Sequence, residues 1–244
     1  MGAPTLDGEA MNVHPARLVA QTDGPKAWDW DFAWEILPDL LRGLWVTVQA
    51  TVVGVVLAMV LGLVFAIARR STIKLISWPV AVFIEFIRST PLLVQLFFLF
   101  YVLPDLGVVL SGFVAGALGL GIHYACYTSE SYRAGIESVD RGQWEAAQAI
   151  NLTATTTWRS VVLPQAIPTV IPALGNYLVA MFKDAPLLST ITVLELVAQA
   201  KRIQAETFRP TEAFTLAGVL FLAVSIPSAA LVRYLERRFR YERA

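Results

Sequence analysis

Two charged pairs stand in stretches of this 244-residue chain that are otherwise apolar. Glu85 and Arg88 are three residues apart, close enough to meet on one helix face. Lys183 and Asp184 are adjacent and end a long uncharged run. Each pair has two readings: a structural ion pair, or a gate beside a polar path. Charge at membrane depth is costly unless it faces water, protein or an opposite charge. Glu130 and Arg133 repeat the i, i+3 spacing and are expected to anchor the first turn of a polar loop. Other chemistry is missing. The two histidines, His14 and His123, are far apart, and Cys126 is the sole cysteine, so neither a disulfide nor a metal cluster is expected. No G-x-x-x-x-G-K-[ST] motif occurs, and no nucleophile stands beside its base. No catalytic residue and no cofactor is expected.

The elements that position these residues follow from hydropathy. The chain is 56% hydrophobic and 16% charged, with a mean hydropathy of +0.59 and zero formal net charge. That balance points to no nucleic-acid surface. Runs without Asp, Glu, Lys or Arg cover Gly43–Ala68, Leu106–Ser129, Ser160–Phe182 and Ala213–Val232. A helix needs about 20 mostly apolar residues to cross a hydrocarbon core roughly 30 Å thick. Spans are therefore expected near 42–68, 75–104, 109–129, 165–184 and 212–232. The second is either one helix or an interfacial helix that turns at Thr90-Pro91 into the span proper, since proline suits the first helical turn. Residues 186–209 read as an amphipathic re-entrant or surface helix. Residues 1–27 read as a flexible tail, and 28–240 as the membrane domain.

Basic clusters at Arg69, Arg70 and Lys74, and at Arg233, Arg237, Arg238 and Arg240, belong in the cytoplasm by the positive-inside rule. Five spans satisfy this with an external N-terminus and a cytoplasmic C-terminus. Asp29, Asp31, Glu35 and Asp39 agree with that orientation, whereas Lys201, Arg202 and Arg209 oppose it.

Residues 141–151, "RGQWEAAQAIN", fall in a polar loop between the third and fourth spans. Strong helix formers predict a helix, with Trp144, Ala147 and Gln148 sharing one face. Asn151 ends it, because asparagine tolerates the left-handed position. Thr153 can cap a second short helix that runs to about Leu163 and stops at Pro164. The hairpin either packs under its own bundle or docks a cytosolic partner, with a proud Trp144 as anchor.

The stretch "GQWEAAQAINLTATTTWRSVVLPQA" (142–166) resembles the EAA loop of binding-protein-dependent ABC importer permeases. Glu145, Ala146 and Ala147 match its Glu-Ala-Ala, Leu163 and Pro164 match its Leu-Pro, and Asn151 stands where that family has glycine. "IEFIRSTPLLVQLFFLFYVLP" (84–104) and "MFKDAPLLSTITVLEL" (181–196) are similar to conserved blocks of polar amino acid permeases, with Ala185 and Pro186 replacing Thr-Ser. Residues 119–147 and 180–203 look closest to ectoine/hydroxyectoine permeases.

The resemblance implies an all-α, polytopic membrane protein with five transmembrane helices and a cytoplasmic coupling loop at about 133–163, the type I importer permease fold. It implies a bacterial inner-membrane location and import of a small zwitterion, ectoine or another polar amino acid. The expected partners are a homologous permease in a heterodimer, two cytosolic ATPase subunits, an external solute-binding protein and membrane lipid. ATP hydrolysis would lie on the separate subunits. Gly142, Trp144, Glu145, Ala146, Ala147, Asn151, Leu163 and Pro164 would couple to the ATPase. Glu85, Arg88, Lys183 and Asp184 are the candidates for the solute path or gate. A self-contained carrier would show paired inverted repeats, and none is visible.

Overall fold

The computed structural model describes residues 28–241, so the expected tail at 1–27 lies outside the described residues. Among the described residues all regular structure is helical. Helix α1 (Trp30–Arg69) begins where the Asp29 side chain accepts from the backbone N–H groups of Asp31 and Phe32. At about 1.5 Å per residue its 40 residues extend roughly 60 Å, twice the thickness of a hydrocarbon core. The Thr47 and Thr51 hydroxyls donate back to the carbonyls of Gly43 (3.0 Å) and Thr47 (2.8 Å), which removes the cost of burying them.

Helix α1 packs along α4 (Gly112–Glu137) as the central pair of the bundle. Lipid offers no hydrophobic drive between helices, so close packing and small residues must hold this seam. A Cβ added at Gly62 would lie 2.8 Å from Thr128 Cβ and 3.0 Å from the Ala125 carbonyl. The main core joins Ala50, Ala58, Leu96, Leu120, Met181, Leu188 and Ile191. The Trp30 end of α1 belongs to a second core, where Ile36 and Leu40 meet Leu196, Ala200, Ile203, Ala213 and Ala217.

Helix α2 (Lys74–Arg88) and α3 (Leu92–Phe97) meet at a 107° bend. The turn at Thr90-Pro91 is therefore real, and the single-helix reading of 75–104 is set aside. A π turn (Phe98–Val102) and a 3-10 turn (Leu103–Leu106) extend α3 to Gly107, whose φ is 87°.

After α4 come α5 (Arg141–Ala149) and α6 (Ala154–Thr157), then a π turn at Trp158–Val162 leading into α7 (Leu163–Asp184). Pro164 was expected to stop a short helix here, and it does not. It sits in the first turn of α7, where no amide hydrogen is needed, and the wide π turn before it makes room for its ring. A 3-10 segment (Ala185–Ile191) then leads to α8 (Leu196–Thr207) and α9 (Pro210–Tyr241).

Among the described residues three helices are long and apolar enough to cross a membrane: Trp30–Arg69, Ala154–Ile191 and Pro210–Arg238. Counting the bent pair as one span makes four. The remaining expected span, 109–129, corresponds to α4. At 26 residues it is long enough, but its sequence carries His123, three tyrosines, Glu130 and Arg133. Its neighbours are protein rather than lipid, so it can carry polar groups that find partners there.

Candidate coupling surface and solute path

Helix α5 starts at Asp140, whose carboxylate accepts from the Gly142 N–H at 2.7 Å. It ends at Ala149, with Ile150 as cap and Asn151 at φ 58°. The Leu152 N–H then donates to the Ala147 carbonyl at 3.0 Å, the closing bond of a left-handed helix end. The Thr153 hydroxyl accepts from the Thr156 N–H at 3.2 Å and opens α6. The helix, turn and helix expected at 141–157 are all present.

The two faces of α5 differ. Ala147 is 3% exposed, and Trp144 packs with Ile136 and Trp158 around Val139, Val162 and Ala166. The Trp144 and Trp158 rings meet edge to face at 5.4 Å. Trp144 is therefore turned toward its own chain, and the proud anchor expected from sequence is not there. Gln148, expected on the same face, is exposed, as are Gly142, Glu145, Ala146, Ala149, Ile150 and Asn151. Glu145 accepts from the Arg141 Nε at 3.0 Å, with both side chains open to solvent. Leu163 and Pro164 are exposed at the start of α7.

Charges brace the bundle above this hairpin. Glu130 pairs with Arg69 at the end of α1 and with Arg133 at 2.8 Å, and Arg133 reaches Glu137 at 2.8 Å. Glu130 and Arg133 thus lie within α4, which runs on to Glu137, and do not open the loop. Arg70 lies 5.7 Å from the centroid of the Trp158 ring, so the end of α1 also touches the residue that seats Trp144.

The second candidate region lies where α4 faces α7 and the α2–α3 bend. The Tyr124 hydroxyl donates to Asp184 Oδ2 at 2.7 Å. The Tyr177 hydroxyl shares a 3.1 Å hydrogen bond with Ser131. The rings of Tyr124, Tyr127 and Tyr177 stand 6.0–6.3 Å apart. The Arg88 guanidinium lies 5.3 Å from the Tyr127 centroid and 3.8 Å from Glu85. A carboxylate and a guanidinium thereby sit at a cluster of three aromatic faces, a set able to hold a molecule carrying both charges. Lys183 and Asp184 diverge. Lys183 lines a separate groove between α7 and α9 with Asn176, Arg233 and Glu236.

Residues 47–241 match the model of the binding-protein-dependent transport system inner membrane component. The chain belongs to that family. This permease is 50% identical over 205 residues to the probable amino-acid ABC transporter permease protein y4tG of Sinorhizobium fredii, a match covering 84% of this chain and 89% of the relative. It is 35% identical over 198 residues to the probable glutamine ABC transporter permease GlnM of Bacillus subtilis, covering 81% and 92%. Its fold matches a chain of an amino acid ABC transporter crystallised with histidines, at a TM-score of 0.81 and 34% identity, covering 86% of this permease and 99% of that chain. The permease is therefore a multi-pass inner-membrane subunit of an amino-acid ABC transporter. It is not itself catalytic, and it works with an ATPase and a solute-binding protein.

Sequence reasoning missed Tyr124, Tyr127, Tyr177 and Trp158. The permease's three tyrosines at 124, 127 and 132 within α4 were a visible signal, since tyrosine brings a polar tip into an apolar run.

Proposed function

We propose that this permease carries a small zwitterion by alternating access, past the Tyr124, Tyr127 and Tyr177 faces, with movement driven through α5. The observation that carries this reading is the placing of Asp184 and Arg88 at one aromatic cluster. Asp184 suits an ammonium or iminium group, and Arg88 suits a carboxylate. Glu85 partners Arg88 as part of the gate, while Lys183 faces the α7–α9 groove.

On the ATPase side, the exposed face of α5 (Gly142, Glu145, Ala146 and Asn151) is the docking surface, flanked by Leu163 and Pro164. Trp144 and Ala147 seat the helix in its own bundle, so a push on α5 reaches α7 and, through Arg70, α1. This orientation puts α5 and the C-terminus in the cytoplasm and the Trp30 end of α1 outside. A homologous permease completes the path as a heterodimer, with one ATPase on each half and a binding protein on the outer face.

Two solutes of this class compete. The segments 119–147 and 180–203 favour ectoine or hydroxyectoine, and the amino-acid names carried by the relatives favour a polar amino acid. Reconstituting the full complex in vesicles and competing labelled ectoine against hydroxyectoine, glutamine and histidine separates them. Saturable, ATP-dependent uptake that Asp184→Asn abolishes is expected. Uptake unaffected by both Asp184→Asn and Arg88→Gln would sink the proposed path.

A further inference from the structure

The 107° elbow between α2 and α3 leaves the last carbonyls of α2 without helical partners. Pro91 has no N–H to offer them. The Thr90 N–H reaches the Ile87 carbonyl only at 3.4 Å. One side chain takes over the task. Gln95 Nε2 lies 2.8 Å from the Ile87 carbonyl, 3.1 Å from the Thr90 carbonyl and 2.9 Å from the Thr90 hydroxyl. Gln95 comes from the second turn of α3, so its amide ties both arms of the elbow together.

The other end of that amide is also held. Gln95 Oε1 stands 3.2 Å from His123 Nδ1. With the NH2 group used on the elbow, the oxygen must accept, so His123 Nδ1 is the donor. The His123 ring lies 5.2 Å from the Tyr127 ring, the ring beneath Arg88. Arg88 in turn follows Ile87, the residue whose carbonyl Gln95 holds. The brace and the arginine therefore converge on one tyrosine from two sides.

Little else in this chain fixes α2. Only Ile84 and Ile87 of its residues are buried. A cavity of about 300 Å³ lies inside the elbow, lined by Phe83, Phe86, Val94, Phe98 and Leu99 among others. Packed interiors resist movement, and a void of this size leaves room for it.

We infer that Gln95 is a positioning residue, a latch that holds Arg88 over Tyr127 at the edge of the solute path, with His123 orienting the latch. The inference rests on the proposal that Arg88 and the tyrosine cluster line that path. The distance measurement below needs no solute, so the two can fail separately.

The test is made on the full complex in nanodiscs, in a Cys126→Ala background. Spin labels replace Trp78 on α2 and Val114 on α4, both exposed in this chain. Gln95→Glu keeps the shape but offers the elbow a carboxylate without donors. It should broaden or shift the label distances and raise the KM for uptake of labelled histidine and ectoine by about tenfold, the scale of a lost buried hydrogen bond. ATPase activity without solute should stay near wild type. His123→Asn keeps a donor near the Nδ1 position and should behave as wild type, whereas His123→Gln moves the donor away and should resemble Gln95→Glu. Unchanged distances in Gln95→Glu, or identical behaviour of the two His123 variants, would overturn the latch. If Gln95→Glu does not assemble, the His123 pair alone decides. Shifted distances with an unchanged KM would leave the latch standing and remove Arg88 from the path.

Discussion

Glu145 and Ala146 lie on the outer face of α5, and Ala147, one position on, lies on the inner face. Neighbouring substitutions should therefore fail in opposite ways. The Glu145–Arg141 pair is exposed at 66% and 92%, and an exposed i, i+4 pair contributes only about 0.3–0.5 kcal/mol. Glu145→Ala should leave the thermal midpoint of the complex nearly unchanged while uncoupling uptake from ATP hydrolysis. Ala146→Trp should fold normally yet fail to co-purify with the ATPase. Ala147→Leu should instead overfill a buried position and cost about 1–3 kcal/mol. Full ATPase retention by Ala146→Trp would count against α5 as the docking helix. Asn151 holds φ 58°, so Asn151→Ala should lose about 1 kcal/mol and Asn151→Gly should keep stability. Asn151 and the ends of α5 were readable because left-handed tolerance and helix propensity are local properties. The inward turn of Trp144 was not, because it depends on Trp158 and Val162, which arrive after the hairpin has folded back.

Among elements, the α1–α4 seam is the least forgiving. At Gly62 an added methyl would press on the Thr128 side chain and the Ala125 backbone carbonyl. Gly62→Ala should force the two helices apart and lower the thermal midpoint in detergent. By contrast, Gly218→Ala should be harmless, because no atom lies within 4 Å of the site its Cβ would fill. An equal loss in both would show that packing at the seam is not the cause. The long helices were legible from their uncharged runs, since lipid imposes that composition directly. Pro164 was misleading because its effect depends on the turn before it, and the π turn at Trp158–Val162 leaves no mark in sequence. The α2–α3 bend was left open between two readings, because proline starts helices as readily as it breaks them.

Across the whole molecule, the Trp30 end of α1 is clamped to α8 and α9 by groups with opposite acid responses. Glu195 is fully buried and caps α8, accepting from the N–H groups of Val197 (2.9 Å) and Ala198 (2.6 Å). Burial dominates these bonds and pushes its pKa above the ordinary 4.5. Its folded form thus holds a proton more tightly than the unfolded chain does. The stability this provides is complete below pH 4.5 and is lost as pH rises through the raised value. Asp29 behaves oppositely. Its bond from the Phe32 N–H, followed by Arg209 at 3.0 Å, holds its pKa below 3.8. That contribution is present above pH 3.8 and is lost as pH falls through the lowered value. Thermal midpoints measured across pH should show Glu195→Gln flattening the loss above pH 4.5, and Asp29→Asn weakening the protein at neutral pH. A Glu195→Gln profile parallel to wild type above pH 4.5 would refute the first assignment.

The chain by itself determined that the protein is helical and membrane-embedded, that a polar helix interrupts it at residues 141–149, and that this helix ends at Asn151. These are consequences of composition and turn chemistry within a few consecutive residues. Only the tertiary structure decided which face of α5 is free, that Tyr124 meets Asp184 across 60 positions, and that Arg69 meets Glu130 across 61. Such pairs depend on how α1, α4 and α7 cross. Those crossings follow from packing contacts at glycines and alanines, and no local pattern around either partner encodes them.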